Sequence, residues 1–538
     1  MPTTAEGTSP VRNTRPILPG YYPDPSICRV GDTFWLVSSS FESFPGLPVH
    51  RSTDLVTWGQ VGHVYDRPST LPLPLGNKPS SGTFAPTIRH HDGVFYVIVT
   101  NMGTEPMEQT ITSTADPAQG WSAPVSVPGT AGIDPDLCWD EDGVCHLTWR
   151  GFGVRDGSFV GGIHHVTTDP TTGERTGEET ELWPGSGGRD AEGPHLYRRH
   201  GWWYLMLAEG GTGLGHMVTM ARSRSLDGPW EENPFDPVLT HRSTDHPVQA
   251  TGHADLVPLD VDDEHPDGSW DGERFAMVHL GIRPREPFPA VHVNGRETFL
   301  QGIDWSDDWP VVIEGRYAPA IAERDASTTR VIEDPLTGTP GPVATGDEPW
   351  TLGDDCVSPG GLARPWLVRD DAGHLTVGAP SDHDLPRPII AVRARDEEWE
   401  ASTTLTPDPD GVGELLVYVT PTHRAGVRWD GRAASAVVRI GPLEQVLGTV
   451  TLASPDRSAR PYVEVRRHEG ADPLEQWVDE LVLGVRVSEG EAVQARELAR
   501  FDGRHLSTEV AGGFTGRLVG VRAIGGVTRV EDFSYRAL

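Results

Sequence analysis

Cysteine is scarce in this chain. There are four in 538 residues, Cys28, Cys138, Cys145 and Cys356, and no CxxC pair. That argues against a disulfide framework and a cysteine-ligated zinc site, and for a reducing compartment in which buried thiols stay free. Basic residues are also few, 44 against 78 acidic ones, for a formal charge of -34. A field of that sign repels phosphate backbones and polyanionic substrates, so nucleic acid is not an expected partner, whereas an uncharged sugar feels no such penalty. No run of about 18 apolar residues occurs, so no membrane span or membrane partner is expected. The amino terminus, MPTTAEGTSPVRNTRP, lacks a basic start followed by an apolar run. A secretory leader is therefore not expected, and the expected location is the cytoplasm. Clean helical periodicity is missing too.

Turn formers and aromatics are plentiful, with 62 Gly, 48 Pro and 17 Trp. Many turns and few long helices describe an all-β chain. Within the first 300 or so residues a weak repeat recurs five times: a short head with Pro or a small residue, an apolar strand, a polar turn, then an aromatic-rich strand. The copies are DPSICRVGDTFWLVSS from Asp24, APTIRHHDGVFYVIVT from Ala85, DPDLCWDEDGVCHLTWR from Asp134, EGPHLYRRHGWWYLMLA from Glu192, and HADLVPLD from His253 with RFAMVHLG after a longer turn. Gly and Asp in the turns suit the positive φ of hairpins. With the short strands between copies, each repeat offers about four strands, the content of one propeller blade. Five repeats predict a five-bladed β-propeller.

Equivalent positions in a propeller meet near its axis. The head residues Asp24, Asp134, Glu192 and His253 are therefore expected to converge at one end, with Ala85 as the neutral fifth. Asp-Pro alone is ordinary turn chemistry, and a lone His is more often a core residue than a ligand. Several carboxylates gathered in one place are another matter, because they raise one another's pKa and mark active sites. A carboxylic acid beside a carboxylate suits hydrolysis of a glycosidic bond: one protonates the leaving oxygen, the other activates water. Carboxyl groups on different blades fit the wider spacing of inverting enzymes more easily than the closer spacing of retaining ones.

The motifs PILPGYYPDPSI, SSFESFPGLPVHRSTDLVTW, FAPTIRHHDGVFYVIVTN, GIDPDL, AEGPHLY, LAEGGT, QATGHADLV and NGRETFL together resemble glycoside hydrolase family 43. They most resemble its β-xylosidase and α-L-arabinofuranosidase branch with a C-terminal sandwich domain. The resemblance implies an inverting exo-glycosidase that releases terminal xylose or arabinose from short neutral oligosaccharides and requires no cofactor. It implies Asp24 as general base, Glu192 as general acid and Asp134 as the residue that tunes Glu192. Arg296 would bind sugar hydroxyls, and Phe41 and Thr212 match pocket-lining positions. His253 would lie under the pocket floor, where some members place a calcium or a water, so a structural Ca2+ near His253 is an implied option; no other metal is expected. Phe84 departs from the Trp or Tyr usual before the APTIR run, which removes a hydrogen-bonding ring edge and leaves the preferred sugar open. Members of this branch often form dimers or tetramers, so a homo-oligomer is an implied state.

Composition shifts near Tyr317, where a Pro-, Gly-, Thr- and Asp-rich stretch begins. The expected organisation is a propeller over 1–320, a linker over 321–346 and a β-sandwich, jelly-roll-like, over 347–538. In the resembled branch this domain sends a loop over the pocket mouth. The matching run is AGGFTG, with Phe514 as the lid residue. The alternative is a plain hairpin with Phe514 packed in the domain interface. Rival functions are the same mechanism on another furanoside such as galactofuranose, a non-catalytic sugar-binding propeller, and a propeller scaffold for protein partners.

Overall fold

The structure, a computed structural model, describes residues 11–538 apart from 72, 74–77, 156–157, 262–264, 266, 287–289, 328–330, 334–340, 343–351, 362–365, 370–373, 383–384, 453–456, 468–478 and 490–491. Five antiparallel four-stranded sheets follow one another along the first part of the chain. Their first strands are Ser26–Val30, Thr87–His91, Gly132–Trp139, Glu192–Arg199 and Gln249–Pro258. Each pairs with the second strand of its own repeat, so the five repeats are the five inner hairpins of a five-bladed propeller. The turn residues behave as their chemistry demands: Asp92 and Gly93, and His200 and Gly201, all take positive φ. First strands of neighbouring blades pack on one another around the ring. The ring closes where Ile17 N–H donates to Thr298 O at 2.8 Å, joining the segment before blade one to blade five.

Apolar side chains from adjacent blades fill the spaces between sheets, as with Val37, Val49, Ile88 and Val97 between the first two. The axis itself is polar. The guanidinium of Arg89, from blade two, donates to Asp136 Oδ1 and to Asp255 Oδ2, each at 2.7 Å. His195 Nδ1 lies 3.0 Å from the same guanidinium, and Ser26 Oγ donates to Asp255 Oδ2 at 2.7 Å. Asp136 and Asp255 are fully buried. One cation thus links residues of all five blades. Burial pushes Asp255 up, but Arg89 and His195 outweigh it and hold the carboxylate well below its ordinary range.

The second domain is a sandwich of two large sheets around a core that includes Trp399, Leu415, Trp429 and Val463. The propeller contributes to it directly. Its short strand Ser43–Phe44 pairs with Cys356–Pro359 and so joins one sandwich sheet. Tyr21 packs with Val357, Tyr418 and Leu518 across the junction, and its ring and that of Tyr22 lie against the Arg393 guanidinium, 4.7 and 4.5 Å from their centroids.

The expected linker over 321–346 holds regular structure among its described residues. The helix Ala318–Ser327 runs into it, and Val331–Glu333 pairs with the sandwich strand Val527–Ala537. The helix escaped notice because it buries a single residue, Ile321, and shows no apolar stripe. It is fixed through Arg324, which donates to the backbone carbonyls of Val56 and Pro16 at 2.8 and 3.0 Å. Among the described residues no helix is long and apolar enough to cross a membrane.

Replacing Arg89 with Met would leave Asp136 and Asp255 buried without their cation. We expect a loss of about 3–5 kcal/mol, measured as a lower urea midpoint than that of the unsubstituted protein.

Candidate active site

Asp24, Asp134 and His253 share an uncommon backbone conformation, with φ of 54°, 56° and 46°. Each stands two residues before an axial or near-axial residue, Ser26, Asp136 and Asp255. Holding a non-glycine residue in the left-handed region costs about 1–3 kcal/mol. Here it breaks the strand pleat and turns the side chain into a cavity at the end of the axis. At the fourth head the kink falls on Gly193, φ 58°, the residue after Glu192. A side chain there would come within 3.1 Å of the His253 ring, a close approach that favours glycine at this positive φ.

The three carboxyl groups line this cavity in different surroundings. Asp24 accepts from Arg296 Nη1 at 3.1 Å and from Ser39 Oγ at 2.6 Å, with His253 Nδ1 3.6 Å away. Burial pushes Asp24 up, but Arg296, His253 and Ser39 together outweigh it and hold it below the ordinary carboxylate range. Glu192 has no such company. Burial and the nearby charge of Asp24 raise it to about 7, although Arg150 pulls the other way. Asp134 is raised by burial and by the charges of Glu192 and Asp24, while the Gly193 N–H, donating to Asp134 Oδ2 at 3.1 Å, favours its anion. The Glu192–Asp134 pair therefore retains a proton at neutral pH. Burial lowers His253 to about 4, so its ring is neutral.

Aromatic rings form one wall. Phe41 meets Phe84 and Phe514 at centroid distances of 5.4 and 5.6 Å, and Phe84 meets Phe514 at 5.9 Å. The Arg296 guanidinium lies against both Phe41 and Phe514, 5.6 and 5.3 Å from their centroids, and its Nη1 also donates to Thr212 Oγ1 at 3.0 Å. All nine residues singled out in the sequence thus line one cavity: Asp24, Asp134, Glu192, Phe41, Phe84, Thr212, His253, Arg296 and Phe514.

Phe514 reaches this wall from the sandwich on a loop that is held at several points. Its own N–H donates to Ser80 Oγ at 2.8 Å, and Ser80 N–H donates to the buried carboxylate of Glu42 at 2.9 Å. At the loop's base Arg517 N–H donates to Val293 O at 2.9 Å, and Glu509 Oε2 accepts the His292 N–H at 3.0 Å. The buried Asp479 pairs with both Arg517 and Arg285, one cation from each domain.

Several contributors were not anticipated. Ser39 follows from hairpin register: Ser26 stands opposite Val37, so two residues further Asp24 comes opposite Ser39. Asp136 and Asp255 lie two places beyond heads already noted, and Arg89 ends the APTIR run. Arg150, Ser80 and Glu42 carried no local signal, since their roles arise from contacts between distant segments. The implied calcium near His253 does not fit these residues. Calcium takes six to eight oxygen ligands, whereas His253 offers nitrogen, Asp24 is held by Arg296 and Ser39, and Arg89 already neutralises Asp136 and Asp255.

The family model described as glycosyl hydrolases family 43 matches residues 13–310, nearly all of the propeller. The chain belongs to this family. It is 45% identical over 300 residues to a non-reducing-end α-L-arabinofuranosidase of Bacteroides ovatus, covering 55% of this chain and 53% of that one. It is 41% identical over 313 residues to a xylosidase/arabinosidase of Butyrivibrio fibrisolvens, covering 56% of each. These matches span about half the length of the relatives. Solved structures extend the likeness to both domains. A family-43 protein of the Bacteroides ovatus xyloglucan locus superposes with TM-score 0.78 at 30% identity, covering 98% of this chain and 100% of that one. A xylan β-1,4-xylosidase of Bacillus halodurans gives 0.79 at 26%, with the same coverage. As a family-43 glycoside hydrolase the protein requires no cofactor.

The anchoring of Phe514 yields a prediction. Ser80→Ala removes the acceptor for its N–H, worth about 1 kcal/mol, and should raise KM for a glycoside about fivefold while kcat changes less. Steady-state kinetics on one substrate would measure both.

Proposed function

We propose that the protein is an inverting exo-glycosidase that releases terminal β-D-xylose or α-L-arabinofuranose from short neutral oligosaccharides. The observation that carries this reading is the contrast between two carboxyl groups in one cavity: Asp24 held ionised, Glu192 raised to about 7. In the proposed reaction Asp24 takes a proton from water as its oxygen attacks the anomeric carbon, and Glu192 gives its proton to the departing glycosidic oxygen. Asp134 positions Glu192 and keeps its proton in place. Arg296, fixed by Asp24 and Thr212, binds sugar hydroxyls, and the phenylalanine wall packs against the sugar's C–H face. Phe514 closes the far side of the pocket, which supports removal of one terminal unit. The net charge of -34 supports neutral substrates. The buried, unbridged Cys28 and Cys145 support action in a reducing compartment such as the cytoplasm.

Initial rates on aryl β-D-xylopyranoside and aryl α-L-arabinofuranoside test the proposal. Asp24→Asn and Glu192→Gln should each lower kcat by about 10²–10⁴-fold with the fold unchanged by circular dichroism. Near-full activity in either variant refutes the role assigned to it. An all-phenylalanine wall also suits another furanoside such as a galactofuranoside, the outcome indicated if both sugars are refused and that one is cleaved.

The pH profile supplies a second test. Catalysis needs Glu192 protonated and Asp24 ionised, so kcat/KM should fall as pH rises through about 7 and persist on acidification to below the ordinary carboxylate range. The Arg150 guanidinium favours the Glu192 anion. Arg150→Met should therefore move the alkaline limb to higher pH.

A further inference from the structure

Away from the catalytic cavity, the chain between blades four and five brings two histidines against a carboxylate. His241 and His246 lie on that connection, and Glu314 follows the last strand of blade five, Trp309–Ile313. Both histidines are buried, with ring centroids 3.8 Å apart. His241 Nδ1 is 2.9 Å from the Val248 carbonyl oxygen, so this nitrogen carries the proton and donates it. Its Nε2 is left with a lone pair. His246 Nδ1 lies 3.1 Å from both the carbonyl oxygen and the N–H of Val248, so the backbone there accommodates either tautomer. His246 Nε2 is 2.9 Å from Glu314 Oε1. One ligand atom from each of the three residues lies within 4.8 Å of the other two.

We propose that His241, His246 and Glu314 bind a divalent first-row transition cation, with Zn2+ as the type case, at a site separate from catalysis. A ring whose second nitrogen is tied to a backbone carbonyl is the outer-shell arrangement that orients metal-binding histidines. Two imidazole nitrogens and one carboxylate suit zinc, whereas calcium favours an all-oxygen set. Neighbouring ligands around a tetrahedral ion with bonds of about 2.0–2.2 Å stand about 3.4 Å apart, so the 2.9 Å between His246 and Glu314 must open by about half an ångström to admit one. His246 also lines a surface groove with Arg242, Gln249 and Arg285, which gives an ion and a completing water a way in. The ion would clamp the connection between blades four and five to the outer edge of blade five. The competing arrangement is a metal-free hydrogen bond from His246 Nε2–H to Glu314.

Isothermal titration of ZnCl2 into the EDTA-treated full chain, with thermal melts in Zn2+ or Ca2+, separates the two. The expected result is one Zn2+ per chain, weakened at least about tenfold in both His241→Ala and Glu314→Gln, and a melting midpoint raised by Zn2+ but not by Ca2+. His241→Ala alters a buried site, so Glu314→Gln, whose side chain is 35% exposed, carries the decision. No saturable Zn2+ binding would overturn the proposal. So would binding that Glu314→Gln leaves unchanged, because the ion would then sit elsewhere among the 21 histidines.

Discussion

One guanidinium at the centre of the propeller sets the terms for the rest of the molecule. Arg89 lies between the buried carboxylates of Asp136 and Asp255, which could not remain ionised there without it. Ser26, His195 and Tyr197 complete the cluster, with Tyr197 donating to Asp255 at 2.8 Å. The first strands of all five blades are thereby referred to a single point. Ser26, Asp136 and Asp255 stand two residues beyond Asp24, Asp134 and His253. A shift at the axial cluster is therefore a shift of the carboxylates above it, and fold stability and site geometry depend on the same contacts.

Above that anchor, like side chains acquire unlike chemistry. Asp24 and Glu192 are both carboxylic acids at equivalent places in a repeat, and both are desolvated. What separates them is the company each keeps. Asp24 has a guanidinium and a hydroxyl within hydrogen-bonding distance, whereas Glu192 has the negative field of Asp24. Arg150 limits how far Glu192 rises, and the Gly193 N–H donates to the neighbouring Asp134. The acid and base roles proposed for Glu192 and Asp24 follow this division.

The sandwich is part of the pocket rather than an appendage. Phe514 completes an aromatic wall begun by Phe41 and Phe84, and with Phe41 lies against the Arg296 guanidinium. The loop that carries it is secured to the propeller through Ser80, His292 and Val293, and from below by Asp479, which pairs with a cation from each domain. The strand Ser43–Phe44 ties the same two bodies together immediately after Phe41. Such pre-organisation keeps a large ring in place without a fresh ordering cost at each binding event.

Local chemistry was enough to show the hairpins, their turns, the five-fold repeat and the residues at its heads, because strand alternation and positive-φ turns act over a few positions. Asp24, Asp134, Glu192 and His253 could be picked out by position within the repeat. The matching family motifs carried Phe41, Phe84, Thr212, Arg296 and Phe514. The helix Ala318–Ser327 was not legible, since it has no apolar face to betray it. Tertiary structure alone decided how burial and charge separate Asp24 from Glu192, where Arg150 and Ser80 act, and that Arg89 rather than calcium neutralises the axis. The physical reason is common to all three. Desolvation and Coulomb attraction depend on distance in space, and the partners that set them here come from different blades and from a second domain, where no pattern along the chain relates one to another.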